Sequence, residues 1–145
     1  MKFPKYLILF VCSVLLLNMQ CDDDDEQIIT SCDTTTIIDN NLYQNAQSDY
    51  YTVVNTEING DCLIVEVSAS GCDGSSWVLE LIDANEVLES SPSQRNLKFV
   101  LANNEACLAV FTKQQSFDLS SLRIIGEDEI ILNIEGFSEP ILYSY

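Results

Sequence analysis

A chain of 145 residues carries 23 acidic side chains against 6 basic ones, a formal charge of −17, and no histidine. Such acidity repels nucleic acid and anionic lipid headgroups, which excludes nucleic-acid binding as a function. The missing histidine removes the commonest general base and the commonest metal ligand together.

At the N-terminus, Met1, Lys2 and Lys5 form a short positive start, and Tyr6 to Leu17 is an uncharged apolar run of signal-peptide length. The run is shorter than the roughly 20 apolar residues of a spanning helix, and its apolar character ends at Asn18-Met19-Gln20. Directly behind stand Cys21 and the acidic block Asp22-Asp23-Asp24-Asp25-Glu26. This arrangement resembles the signal of bacterial lipoproteins, and the acidic block resembles the export signal of surface lipoproteins in the Bacteroidota. The resemblance covers residues 1–26 alone. It implies a signal peptide over 1–20, a lipid (palmitate-type) anchor on Cys21, and a membrane attachment at the outer membrane or cell surface. Gln20 departs from the small residue usual before the cysteine. Cys12, inside the apolar run, is ordinary filler. Read without the resemblance, Asp22 to Glu26 is a solvated, self-repelling spacer. Residues 21–36 are thus expected as a lipid-anchored acidic tether and linker, and 37–145 as the folded domain.

Four cysteines remain for that domain: Cys32, Cys62, Cys72 and Cys107. An even number in an exported chain reads as two disulfides with three possible pairings. No C-x-x-C is present, so neither a zinc knuckle nor a thioredoxin-like motif is indicated. The pairing expected is Cys72 with Cys107 and Cys32 with Cys62. The second bridge would pin the segment leaving the tether onto the first hairpin.

Residues 27–49 are polar, with room for one or two short strands. From Tyr50 the pattern is β. Tyr50 to Ile58 is rich in Tyr, Thr and Val, Asn59-Gly60-Asp61 is a hairpin turn, and Leu63, Val65, Val67 and Ala69 alternate with more polar neighbours. Trp77, Leu79 and Leu81 alternate in the next strand, Asp83-Ala84-Asn85 is expected to turn it, and Val87-Leu88 to form a short edge strand. Ser90 to Asn96, with Pro92 and Arg95, reads as an exposed loop. Leu97, Phe99 and Leu101 make another strand, and Cys107, Ala109 and Phe111 continue on the following one. Gly126 to Glu129 reads as an exposed turn, before Ile130, Leu132 and Ile134, and Ile141 to Tyr145 closes the chain. No segment sustains helical periodicity over three turns. The expected fold is all-β: a single antiparallel β-sandwich, immunoglobulin-like by first choice with a barrel as alternative, and stapled by disulfides.

No nucleophile-and-base set assembles without histidine, and Lys98 and Lys113 lie outside any S-x-x-K setting. No Gly-rich phosphate loop, metal motif or cofactor motif is present, so no catalytic residue, metal or cofactor is assigned. Trp77 is expected in the core, in register with Leu79 and Leu81, whereas Tyr43, Tyr50, Tyr51, Tyr143 and Tyr145 are candidates for a sugar-stacking surface. The expectation is a non-enzymatic, lipid-anchored envelope protein with a protein or glycan partner, and Pro92 and Arg95 are candidate partner contacts. Two alternatives stand beside it: an inhibitor of exported proteases acting through Ser90 to Asn96, and a glycosidase using paired carboxylates.

Overall fold

The computed structural model describes residues 31–145. The expected signal peptide over 1–20, Cys21 and the acidic run Asp22 to Glu26 lie outside the described residues.

Strands β1 (Thr34–Thr35) and β2 (Ile37–Ile38) are followed by a six-residue helix, α1 (Asn40–Asn45). Seven longer strands follow: β3 (Thr52–Asn59), β4 (Cys62–Gly71), β5 (Val78–Leu88), β6 (Ser93–Ala102), β7 (Ala109–Asp118), β8 (Glu129–Glu135) and β9 (Ile141–Ser144). A 3₁₀ turn at Ser120–Leu122 leads from β7 toward β8. The strands form two sheets, one in the order β1-β7-β4-β3 and the other β2-β5-β6-β8-β9. These pack as an open sandwich, not a closed barrel, around one core.

Antiparallel pairing holds for β3–β4, β4–β7, β5–β6 and β8–β9. Three pairs are parallel: β1–β7, β2–β5 and β6–β8. The last follows from connectivity. After β6 the chain crosses to the first sheet as β7 and returns as β8, and such a crossover lays strands parallel where a hairpin cannot.

Alternation sets the core. Leu63, Val65 and Val67 on β4, Leu79 and Leu81 on β5, Leu97, Phe99 and Leu101 on β6, and Ile130 and Leu132 on β8 all turn inward and are buried. Phe99 meets Phe117 edge to face at 5.8 Å between ring centres, joining the two sheets at mid-core. The β3–β4 hairpin closes through a two-residue loop in which Gly60 takes φ +57, the positive value that a tight hairpin loop needs at its first position.

Three expectations are corrected. Asp83 to Asn85 do not end a strand. They form an irregularity within β5, with Asn85 at φ 56, and pairing with β6 resumes at Val87↔Arg95 and Leu88↔Gln94, so Val87 and Leu88 are no edge strand. The linker expected to run to residue 36 ends earlier: Thr34 and Thr35 already pair with Phe117 and Asp118, and Thr36 is buried. Helix α1 has no apolar stripe to announce it. Asp39 starts it by accepting a hydrogen bond from Leu42 N at 2.9 Å, the N-cap geometry that satisfies a first-turn amide, and Asn40 Nδ2 donates to Ala84 O to hold it on β5.

Candidate functional site

The two lateral edges of the sandwich are treated differently. On one side β1 and β2 are consecutive, so the chain steps from the first sheet to the second across the edge. Beyond the reach of these short strands, β7 sends inward-facing polar side chains across the gap. Lys113 Nζ donates to Trp77 O at 2.7 Å and to Gly74 O at 3.3 Å, and Gln115 Nε2 donates to Leu79 O at 3.4 Å. Carbonyls at the margin of β5 are thereby satisfied from the opposite sheet. An inward-pointing lysine is one of the devices by which natural sheets blunt an edge.

On the other side, β3 ends the first sheet and β9 ends the second, with no strand beyond either among the described residues. Between them runs a groove of about 530 Å³ lined by Val53 to Thr56 of β3 and by Phe137 to Leu142 of the β8–β9 connection and β9. Phe137 and Ile141 are half-buried against the core. Val54 and Leu142, at 52% and 54% exposure, stand at its walls. Val54 is there because of a β-bulge: Val53 pairs with Val67 and Asn55 with Glu66, which leaves Val54 as the extra residue. The lining carries one ionisable group, the carboxylate of Glu139.

Charged side chains elsewhere are tied into the scaffold. Asp83 is fully buried and pairs through Oδ1 with Arg95 Nη1 at 2.9 Å, while its Oδ2 has no partner. Burial pushes the Asp83 carboxyl up, against the opposing pull of Arg95. At the β3–β4 turn, Tyr143 Oη donates to Asp61 Oδ1 at 2.6 Å, and Arg123 bonds both Tyr143 and Asp61. Burial and the Asp61 hydrogen bond push Tyr143 up to about 12. Tyr143 and Arg123 in turn hold Asp61 below the usual range despite some burial. Glu105 reaches into the turn after β4, where Oε2 accepts from the N–H groups of Cys72 (2.5 Å), Gly74 (3.1 Å) and Asp73 (3.2 Å), and Oε1 accepts from Ser76 Oγ at 2.9 Å. Burial raises the Glu105 carboxyl, but these donors outweigh it and bring it to about 2.

The cysteines join as Cys32–Cys62 and Cys72–Cys107, the pairing expected from the sequence. Trp77 is buried in the core. Tyr143 is fully buried and therefore no sugar-stacking surface, Tyr51 packs edge to face on Phe99, and Tyr50 stands out at 88% exposure. Arg95 is not a loop residue. β6 begins at Ser93, so the expected Ser90 to Asn96 loop shrinks to residues 89–92, and the Arg95 side chain, 12% exposed, is held by Asp83 and by Leu122 O at 3.0 Å. It cannot serve as the partner contact or as the tip of an inhibitory loop, although Pro92 remains in the connection. The groove at the β3/β9 edge had no signature in the sequence, because it depends on strand order.

No known protein-family model matches the chain, and no curated protein matches it. Solved structures of similar fold come from Bacteroides and Parabacteroides species. A NigD-like immunity protein from Bacteroides caccae aligns with TM-score 0.56 at 14% identity over 78% of this chain and 59% of its own. A protein of unknown function, DUF1344, from Bacteroides vulgatus aligns with TM-score 0.54 at 14% identity over 77% and 56%. A putative toxin-related protein from Parabacteroides distasonis aligns with TM-score 0.52 at 19% identity over 77% and 59%. The chain thus spans less than two thirds of each of these proteins. The likeness is one of fold, and its source fits a protein of the Bacteroidota.

Proposed function

We propose that this chain is a lipoprotein anchored through Cys21 at the outer membrane or cell surface, and that its β domain acts by binding another protein, without catalysis. The observation that carries the binding reading is the unequal treatment of the two sandwich edges: one is capped by Lys113, Gln115 and the β1–β2 step, and the other, among the described residues, is left open over a groove of mixed polar and apolar lining. Unpaired strand edges are costly to leave uncovered and are a recurrent means of recognising extended segments. The fold shared with a NigD-like immunity protein favours an accessory, partner-directed role over an enzymatic one.

Export and anchoring rest on the signal, on Cys21 and its acidic block, and on two disulfides, which persist in oxidising compartments. The test is metabolic labelling with a fatty-acid analogue. The wild type is expected to be tagged and Cys21→Ser untagged; a tagged Cys21→Ser protein refutes the anchor. Neutral replacement of Asp22 to Glu26 is expected to abolish protease accessibility on intact cells. Unchanged accessibility removes the surface-export role of that run and leaves the spacer.

A further inference from the structure

The open edge also specifies what it accepts. Of its two strands, β3 has eight residues and β9 four. β9 is shielded by its shortness and by Pro140 immediately before it. β3, Thr-Val-Val-Asn-Thr-Glu-Ile-Asn, contains neither Lys nor Pro, the residues that usually discourage pairing. Pairing with β4 on one side leaves alternate N–H and C=O groups of β3 directed outward. Its bulge leaves Val54 as the extra residue, and Val54 is among those that line the groove.

Charge settles the nature of the occupant. Setting aside Lys2, Lys5 and the block Asp22 to Glu26, 18 acidic side chains face 4 basic ones. All four bases are engaged: Arg95 with Asp83, Lys98 with Glu135 and over the Tyr43 ring, Arg123 with Asp61, and Lys113 with the Trp77 and Gly74 carbonyls. Among the described residues, no cation pairs with Glu57 on β3 or Glu139 in the groove. A second copy of the chain would bring the same excess of negative charge to the edge, so self-pairing is opposed. An acidic partner is opposed for the same reason.

We infer that β3 accepts an extended, basic segment of a different protein as an added strand, with one alternate set of side chains seated in the groove, basic side chains on the other face meeting Glu57, and Glu139 adding to the negative charge at the groove. This rests on the binding reading above and is independent of the anchor at Cys21.

The test uses the full chain, oxidised, in detergent, with two synthetic nine-residue peptides as probes, one alternating Val and Lys and the other Val and Glu. The Val/Lys peptide is expected to bind, to slow amide exchange along Thr52–Asn59, and to weaken as salt rises. The Val/Glu peptide is expected to bind at least tenfold more weakly. Glu57→Lys with Glu139→Lys, both at exposed positions, should reverse that order, with the Trp77 fluorescence of the free protein unchanged to verify folding. Equal binding of the two peptides, no binding of the Val/Lys peptide at millimolar concentration, or protection mapping away from β3 would each overturn the inference. None of these outcomes bears on fatty-acid labelling at Cys21, so a failure here and a failure of the anchor are separable.

Discussion

Replacing Arg95 by Met removes the cation paired with a fully buried carboxylate, Asp83, while retaining a long apolar side chain. Asp83 then keeps one strong donor, Asn85 N at 2.8 Å, and Leu122 O loses its bond from Arg95 Nε. Breaking one half of a buried ion pair costs about 3–5 kcal/mol. An independent ceiling comes from proton uptake: instead of remaining charged and unpaired, the carboxyl can protonate. From an ordinary value near 3.9, that costs about 4 kcal/mol at pH 7 and about 1.5 kcal/mol at pH 5, at roughly 1.36 kcal/mol per pH unit. Asp83 is already raised in the native protein, so its contribution to stability is full below the unfolded value and is lost as pH rises through the folded one. Without Arg95 the folded value climbs further and the loss grows. The expected deficit of Arg95→Met is therefore about 3–4 kcal/mol at pH 7, shrinking to half or less at pH 5. Urea unfolding followed by the single tryptophan, Trp77, measures it at both pH values. A deficit below 1 kcal/mol at pH 7, as for a free loop arginine, or one that does not change with pH, refutes the reasoning. Asp83→Asn combined with Arg95→Met should remove the pH dependence.

Glu105, held at about 2 by the turn after β4, contributes stability that is present above the ordinary glutamate range and lost as pH falls toward 2. Glu105→Gln should lower the thermal midpoint at pH 6 and flatten its acid decline between pH 5 and 2; parallel curves for mutant and wild type would refute this. Tyr143, pushed up to about 12, contributes stability that is full below the ordinary tyrosine value near 10 and lost as pH rises through 12. Tyr143→Phe should cost about 1 kcal/mol at neutral pH through the lost hydrogen bond to Asp61. It should also abolish the part of the alkaline loss due to this group, read from urea midpoints at pH 8 to 11.

Much of the sandwich is legible in alternation alone. Leu63-Val65-Val67, Leu97-Phe99-Leu101 and Ile130-Leu132-Ile134 each mark an inner face, and each is buried. The same period carried a message easily missed when the inward residue is polar. Asp83 continues the Leu79-Leu81 series and Lys113 the Phe111 series, so each lies on an inner face by register. Read for composition instead of register, Asp83-Ala84-Asn85 resembles a turn. Arg95 resembles a loop residue for the same reason, because Ser90 to Asn96 is polar around Pro92 although its second half pairs with β5 and β8. Helix α1 depends on a single cap, Asp39, and on docking to β5, which no six-residue window encodes. The open edge belongs to strand order, which arises from contacts between residues far apart in the chain, such as Thr34 with Phe117.

The Cys32–Cys62 bridge has a mechanical consequence. Cys62 opens β4, an inner strand of its sheet flanked by β3 and β7. Tension applied to the chain ahead of Cys32 would, without the bridge, fall on β1, which holds β7 through two residues and would unzip one hydrogen bond at a time. The sulfur–sulfur bond diverts that load into β4, where separation requires shearing two long ladders together. The domain can thus be pulled from its N-terminal side without β1 peeling away first, because the traction that enters at the capped flank is shared between the β3–β4 and β4–β7 ladders.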